Sequence, residues 1–236
     1  MEAVAAEAVA AAETVVGRAE KLKEFETEVS VCMSCALSQG RTQVVFGQGN
    51  SDADLMFIGE APGFHEDKQG YPFVGRAGRL LEKLLEGIGM TRDDVYIANV
   101  LKCRPPANRD PRAEEIEACE RHLFKQVSII EPNLIATLGN FATKLLSGSP
   151  DGITRVHGEA RQAIIGGREV MIFPVFHPAA ALYTPSMLKT LEADFAKIPD
   201  LITASSGRAN KPEDVSLLEP VSSRNSHASD EQLDLF

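Results

Sequence analysis

The feature of this sequence that most constrains its fold is a short apolar run that ends in a loop rich in glycine and proline. Residues 55–58 read Leu-Met-Phe-Ile, and Gly59, Pro62 and Gly63 interrupt the run. A strand, an irregular loop and a following helix are typical of the ligand-binding edge of an open α/β sheet. The glycines let backbone N–H groups approach a small planar or anionic ligand, because no Cβ stands in the way.

The same alternation of strands and helices continues along the chain. The pattern predicts strands at 44–47, 55–58, 95–100, 133–138 and 170–176, and helices at 79–88, 113–130, 141–146 and 186–197, with 156–167 irregular or hairpin-like. Such an order favours an α/β fold with a mainly parallel sheet and helices on both faces. Because parallel strands end at one edge, we expect Glu60, Asn99 and His177 to lie together there.

Length and composition predict one sizeable domain with appendages. The chain has 236 residues, of which 44% are hydrophobic and 25% charged, as in an ordinary globular protein. We interpret residues 1–30 as an N-terminal helical segment and residues 31–202 as the main domain. Residues 203–231 have little to bury and are predicted to be a disordered tether, with 232–236 as a separate peptide.

Charge and hydropathy set the expected location and partners. Without a long apolar run or a secretory signal, we expect a cytoplasmic protein with no membrane partner. The net charge of −10 argues against binding nucleic acid, but residues 1–30 carry −4 and residues 201–236 carry −3. The middle of the chain is therefore nearly balanced and holds local basic clusters. Since the local field decides whether phosphates are attracted, DNA binding stays open.

Four cysteines are the candidate metal ligands, and the sequence has no others: Cys32, Cys35, Cys103 and Cys119. In the expected compartment disulfides are rare, and four thiolates suit either zinc or an iron–sulfur cluster. Four unrelated buried thiols are the alternative. Zinc ribbons usually have a second close pair of cysteines, which is missing here, so the spacing favours a [4Fe–4S] cluster over zinc. Either metal would be structural, because four cysteines close the site.

Taken together, four motifs resemble those of the family 4 uracil-DNA glycosylases, the iron–sulfur branch of that superfamily. The motifs are GEAPG at 59–63, PFVGRAG at 72–78, YIANVLKCRPPANRDP at 96–111 and HPAAAL at 177–182. The cysteines also fall where that family places its cluster ligands, so the resemblance covers residues 32–197. It implies a three-layer αβα sandwich around a mainly parallel four-stranded sheet, with the N-terminal segment tied down by the cluster.

The resemblance implies a monofunctional uracil-DNA glycosylase that flips uracil out of DNA and hydrolyses its N-glycosidic bond. The abasic site that remains would initiate base excision repair. The alternative interpretation is a catalytically inactive adaptor, held together by a metal, that binds DNA or a sliding clamp. An intact set of Phe73, Asn99 and His177 argues against that reading.

The same resemblance assigns roles to the pocket residues. Phe73 would stack on the flipped uracil, Asn99 would read its edge, and His177 would donate a hydrogen bond to uracil O2. The implied catalytic residues are Glu60, Asn99 and His177, and the implied uracil-binding residues are Gly59, Glu60, Ala61, Phe73, Asn99 and His177.

The position of Ala61 departs from the better-known uracil glycosylases, in which an aspartate orients the attacking water. Glu60 or the Asn99 side chain could position that water, or the sugar cation could be captured with little assistance from a base. No general base is assigned from the sequence. Glu60 could equally be a solvated carboxylate.

Contacts to DNA are expected from the proline-rich loop and the loop after His177. Lys102, Arg104 and Arg109 are candidates for phosphate contacts, and Leu182 for a wedge that fills the space left by uracil. The three basic residues could instead form a solvated loop or ion pairs with the helix at 113–121.

The pentapeptide at 232–236, Gln-Leu-Asp-Leu-Phe, resembles the bacterial motif that binds the DNA sliding clamp. Apolar anchors on a polar tether are unusual unless a partner covers them, although the peptide could fold back on its own domain. The resemblance implies a bacterial, nucleoid-associated enzyme with a monomeric catalytic domain. The implied clamp-binding residues are Gln232, Leu233, Leu235 and Phe236.

Overall fold

The computed structural model describes residues 17–206. Residues 1–16 of the predicted helical segment, residues 207–231 of the predicted tether and the peptide at 232–236 lie outside the described residues. The strands in this part of the chain are β1 (Gln48–Gly49), β2 (Leu55–Gly59), β3 (Tyr96–Asn99), β4 (Leu134–Leu138), β5 (Arg161–Ile165) and β6 (Arg168–Val175). Residues 17–30 are helical and are called α1. The other helices are α2 (Phe64–Gln69), α3 (Arg76–Glu86), α4 (Ala113–Ile130), α5 (Asn140–Ser147), α6 (Ile153–Val156), α7 (Pro178–Ala181), α8 (Pro185–Phe195) and α9 (Ile198–Ser206).

The described strands form one sheet in the order β1-β3-β2-β4-β6-β5. Its four central strands, β3, β2, β4 and β6, are parallel, which confirms the predicted parallel core. Strands β1 and β5 add antiparallel edges to this core. The sheet is therefore mixed and larger than the four strands expected from the sequence.

Helices cover both faces of the sheet, as the αβα prediction requires. In β2, Met56 and Ile58 pack into a core with residues of α1, α4 and α5. Leu55 and Phe57 point the other way, into a core with residues of α3, α8 and α9. Because side chains alternate along a strand, this continuous apolar run supplies both layers. On the second face the rings of Phe57 and Phe195 stack at 5.5 Å.

Some predicted elements are placed or bounded differently. Residues 44–47 were predicted as a strand, but the short edge strand β1 follows them instead. The region at 156–167 forms the β5–β6 hairpin, whose two-residue turn is Gly166-Gly167 with positive φ at both positions. Helix α9 continues to Ser206, four residues beyond the predicted domain end at 202. None of the helices in residues 17–206 is long and apolar enough to cross a membrane.

Candidate functional site

Three chain segments meet at the carboxyl edge of the parallel strands. The pairing of β2 with β3 sets Gly59 beside Asn99, and His177 follows the end of β6 by two residues. The three segments border a cavity of about 350 Å³. Of the residues predicted for the pocket, the cavity is lined by Glu60, Ala61, Phe73, Asn99 and His177.

Gly59, predicted to bind uracil, is not among the residues that line the cavity, but it lets two lining side chains come together. A Cβ at this position would lie 2.5 Å from Asn99 Oδ1 and 2.9 Å from the Phe73 ring. Either distance is too short for a real contact, so the absence of a side chain is what permits the arrangement. The cavity wall therefore depends on glycine at residue 59.

Phe73 is held in an unusual backbone conformation. Its φ is +55°, in the left-handed region that non-glycine residues rarely adopt. Its carbonyl oxygen accepts a hydrogen bond of 3.0 Å from Arg92, and a Cβ at residue 78 would lie 1.7 Å from the same oxygen. Glycine at 78 is thus required for this turn, and the ring is only 6% exposed.

Glu66 fixes the same loop from the other side. Its Oε1 atom accepts hydrogen bonds from the backbone N–H groups of Val74, at 3.1 Å, and Gly75, at 3.2 Å. Glu66 and Arg92 were not among the predicted site residues. No local pattern marks them, because their partners are backbone groups that become adjacent only in the fold.

The histidine that begins α7 has a defined proton position. His177 Nδ1 accepts a hydrogen bond of 3.1 Å from the backbone N–H of Ala179. In the neutral ring the proton therefore lies on Nε2, which becomes a donor. Burial lowers the pKa of His177 to about 4, against the opposite effect of the Glu66 charge. The ring stacks on Phe73 with 5.6 Å between centroids.

Glu60 is a carboxyl group with a raised proton affinity. Burial, assisted by the negative charge of Asp110, raises its pKa to about 6. Its backbone carbonyl accepts from the N–H of Leu101 at 3.0 Å, which anchors the residue just beyond β2. A carboxyl group with this pKa exchanges its proton near neutral pH, as a general base must.

Asn99 and Lys102 are joined in a buried network. Asn99 is 2% exposed, and its backbone oxygen accepts from Lys102 Nζ at 2.8 Å. Lys102 is 1% exposed and also donates to Gln126 Oε1 at 2.5 Å. The prediction that Lys102 contacts DNA phosphates is therefore wrong, because its ammonium group is buried and engaged within the protein.

The other predicted DNA-contact residues have different surroundings. Arg109 lines the cavity and forms two hydrogen bonds with Glu115, at 2.8 and 2.5 Å, which matches the alternative of an ion pair with the following helix. Arg104 is half-buried, and its Nε donates to Asn108 Oδ1 at 2.7 Å. Leu182 is half-buried at the end of α7. Contacts of these residues with DNA stay predictions.

A second, smaller cavity of about 20 Å³ is lined by all four cysteines. The backbone N–H of Lys102 donates to Cys119 Sγ at 3.3 Å, and Arg41 Nη1 donates to Cys103 Sγ at 3.5 Å. N–H donors and cationic side chains stabilise thiolates, but burial outweighs them here, raising the pKa of Cys119 to about 11 and also raising that of Cys103. As placed, however, no group of three or more His, Cys, Asp or Glu side chains in residues 17–206 would hold a metal ion.

A comparison with protein families identifies the class of protein to which this fold and its edge pocket belong. The model of the uracil DNA glycosylase superfamily matches residues 46–199. The chain belongs to this superfamily. Similar proteins include the type-4 uracil-DNA glycosylase of Sulfurisphaera tokodaii, 48% identical over 187 residues, or 77% of this chain and 85% of the relative.

Two further similar proteins are also type-4 uracil-DNA glycosylases. The type-4 uracil-DNA glycosylase of Archaeoglobus fulgidus is 45% identical over 186 residues, which cover 77% of this chain and 94% of that protein. The type-4 uracil-DNA glycosylase of Thermotoga maritima is 47% identical over 165 residues, or 69% of this chain and 84% of the relative. The matched regions take up most of these proteins.

The His177 ring is expected to stay neutral, with its proton on Nε2, at every pH above about 5. Because its folded pKa of about 4 lies below the ordinary value of about 6.5, the folded state should lose stability as pH falls from about 6.5 towards 4. Long-range ¹H–¹⁵N NMR, assigned by comparison with His177→Gln, measures both the tautomer and the midpoint. A midpoint near 6.5 would contradict the burial of the ring.

Proposed function

We propose that this chain is a monofunctional uracil-DNA glycosylase that hydrolyses the N-glycosidic bond of flipped uracil and leaves an abasic site. The observation that carries the proposal is one cavity bordered by an aromatic ring, a buried amide and a neutral histidine. The type-4 uracil-DNA glycosylases among its relatives support the same substrate and reaction.

Uracil is recognised by its shape and by its hydrogen-bonding edge. The Phe73 ring offers an apolar face for the base, and the Asn99 amide accepts from N3–H and donates to O4. Cytosine presents the reverse pattern at these positions. It would leave buried polar groups unpaired, and mismatches of this kind are rejected strongly. The backbone of Gly59, Glu60 and Ala61 completes the pocket.

His177 stabilises the leaving base. A neutral ring with its proton on Nε2 donates a hydrogen bond to uracil O2 as negative charge builds there. The bond between C1′ and N1 breaks, its electron pair goes to uracil, and an oxocarbenium-like sugar remains. The low pKa of His177 suits a donor that keeps its proton and acts by charge stabilisation.

Glu60 positions the attacking water and takes up its proton. Ala61 offers no carboxylate. Glu60 and Glu66 are the carboxyl groups that line the cavity, and Glu66 already accepts the backbone N–H groups of Val74 and Gly75. Burial keeps its pKa at about 6, so it is mostly ionised at neutral pH and still basic enough to accept a proton. The water adds to C1′ and completes the hydrolysis.

The four cysteines hold a [4Fe–4S] cluster with a structural role. Cys32 and Cys35 lie in the segment after α1, Cys103 in the proline-rich loop and Cys119 in α4. A cluster bound by them would link three chain segments that are distant in sequence. One of these segments continues from β3, whose last residue is Asn99, so the link also supports the pocket.

Arg104, Arg109 and Leu182 contact the DNA. The peptide at 232–236 binds a bacterial sliding clamp through Gln232, Leu233, Leu235 and Phe236, and thereby raises the local concentration of the enzyme at DNA. The proposed location is the cytoplasm, in association with the nucleoid. The catalytic domain acts as a monomer.

The first test is excision of uracil from a labelled oligonucleotide, followed by alkaline cleavage. The protein should cleave at uracil, and Asn99→Ala should lower kcat/KM by about 100-fold or more, because a buried hydrogen-bonding edge is lost. Asn50→Ala, which removes an amide from a turn remote from the pocket, should stay within about twofold. If no excess of wild-type protein produces cleavage at uracil, the proposed activity is contradicted.

The pH dependence tests the role of Glu60. Because its carboxylate must be ionised, kcat/KM should rise with pH through about 6, while His177 stays neutral across this range. Glu60→Gln should remove the rise, and Asp110→Asn should shift it to lower pH by removing a negative charge. A rise that survives in Glu60→Gln would assign it to another group.

The cofactor is tested by measuring the metal and sulfide content of the purified protein. Protein purified without oxygen should contain iron and acid-labile sulfide, about four of each per chain, and Cys119→Ala should lose both. A control variant, Met33→Ala, changes an exposed residue between Cys32 and Cys35 and should retain them. Zinc in place of iron would reject the cluster.

Clamp binding is tested with the full-length chain. Immobilised bacterial sliding clamp should retain the wild-type protein and release a variant in which Leu235 and Phe236 are both alanine. Excision of uracil from a free oligonucleotide should be the same for both proteins. Equal retention of the two proteins on the clamp would remove this partner.

A further inference from the structure

Helix α2 turns an aromatic and cationic face to solvent beside the pocket. Phe64 is 46% exposed, and His65, Lys68 and Gln69 are exposed with it. The acidic residues of α2 turn inward instead. Asp67 is 4% exposed and accepts from the backbone N–H of Thr42, while Glu66 accepts from the loop that follows Phe73. The outer face of this helix therefore carries positive charge without a neighbouring acid from α2.

Two cations lie over the Phe64 ring. Lys68 Nζ is 4.5 Å from the ring centroid, and Arg104 Cζ is 5.1 Å from it. Arg104 comes from the proline-rich loop, where Asn108 holds it by a hydrogen bond of 2.7 Å. With both cations in place, nearly half of Phe64 remains exposed. The His65 ring also stands nearly perpendicular to Phe64, with 5.4 Å between the centroids. The part of Phe64 that remains exposed is what a planar ligand with negative charge nearby would contact.

This surface, formed by Phe64, Lys68 and Arg104, is continuous with the pocket rim. Gly63, which precedes Phe64, lines the uracil cavity, and so does Asn108, which holds Arg104. A DNA strand that delivers a base into the cavity must pass close to this rim. The neighbour of a flipped nucleotide has lost a stacking partner, so its base is available to an aromatic ring.

We propose that Phe64, Lys68 and Arg104 form a stacking platform for an unpaired nucleobase next to the flipped uracil, with the cations contacting the adjoining phosphates. The proposal rests on the proposed function for its DNA substrate. It adds a preference for single-stranded or locally opened DNA. In an intact duplex the bases are stacked on each other, so the platform gains only the phosphate contacts.

The test measures binding to uracil-free DNA, so it does not depend on excision. Fluorescence anisotropy compares a labelled strand of about 15 thymidines with a blunt duplex of the same length. Phe64→Ala should raise Kd for the single strand by about fivefold or more, the low end of measured base–aromatic stacking, and change Kd for the duplex by less than about twofold. Phe64→Trp should keep wild-type affinity.

Two further variants separate stacking from other causes. Phe64→Leu keeps an apolar side chain and the fold but removes the aromatic face, so it should lose affinity for the single strand as Phe64→Ala does. Tyr71→Ala removes another exposed aromatic residue near α2 and should bind as the wild type does. Wild-type affinity in Phe64→Leu, or equal losses for strand and duplex in Phe64→Ala, would overturn the platform. If the wild-type protein binds in this pattern but excises no uracil, the proposed function is contradicted and the stacking platform is not.

Discussion

The pocket depends on the parallel pairing of β2 with β3, which sets Gly59 directly beside Asn99. Without a Cβ on Gly59, the Asn99 amide and the Phe73 ring approach from two sides to distances that no other residue would allow. Two hydrogen bonds then carry the chain beyond the strands, from Val100 N–H to the Gly59 carbonyl and from Leu101 N–H to the Glu60 carbonyl. The Asn99 amide is consequently part of the sheet edge itself.

Lys102 joins this edge to the cysteine site. Its ammonium group binds the Asn99 carbonyl, while its backbone N–H binds Cys119 Sγ. Through Gln126, which donates to the Phe46 carbonyl at 2.9 Å, the same network reaches the segment that leads into β1. A disturbance of the cysteine site therefore has a short route to the backbone of Asn99. A cofactor bound by the cysteines would therefore be connected to the pocket through Lys102.

Much of the fold could be predicted from local patterns. Helix α4 has the bounds that its sequence predicts, and the four parallel strands are short apolar runs ended by glycine or polar residues. The edge strands were harder to predict from the sequence, because β1 has only two residues and β5 alternates exposed and less exposed positions. Lys102 was misplaced because lysine in a polar loop is usually solvated, and only the burial of that loop against α4 makes it internal.

The sequence by itself determined the strand–loop–helix order, the glycine at residue 59 and the identities of the pocket side chains Phe73, Asn99 and His177. These follow from apolar periodicity and from motif residues that lie next to each other in the chain. Only the tertiary structure decided the neutral tautomer of His177, the raised pKa of Glu60 and the inward direction of the acids on α2. The tautomer of His177 depends on the turn that brings the Ala179 N–H back to its ring. The pKa of Glu60 and the direction of the acids on α2 depend on burial and on partners distant in sequence, which local patterns do not encode.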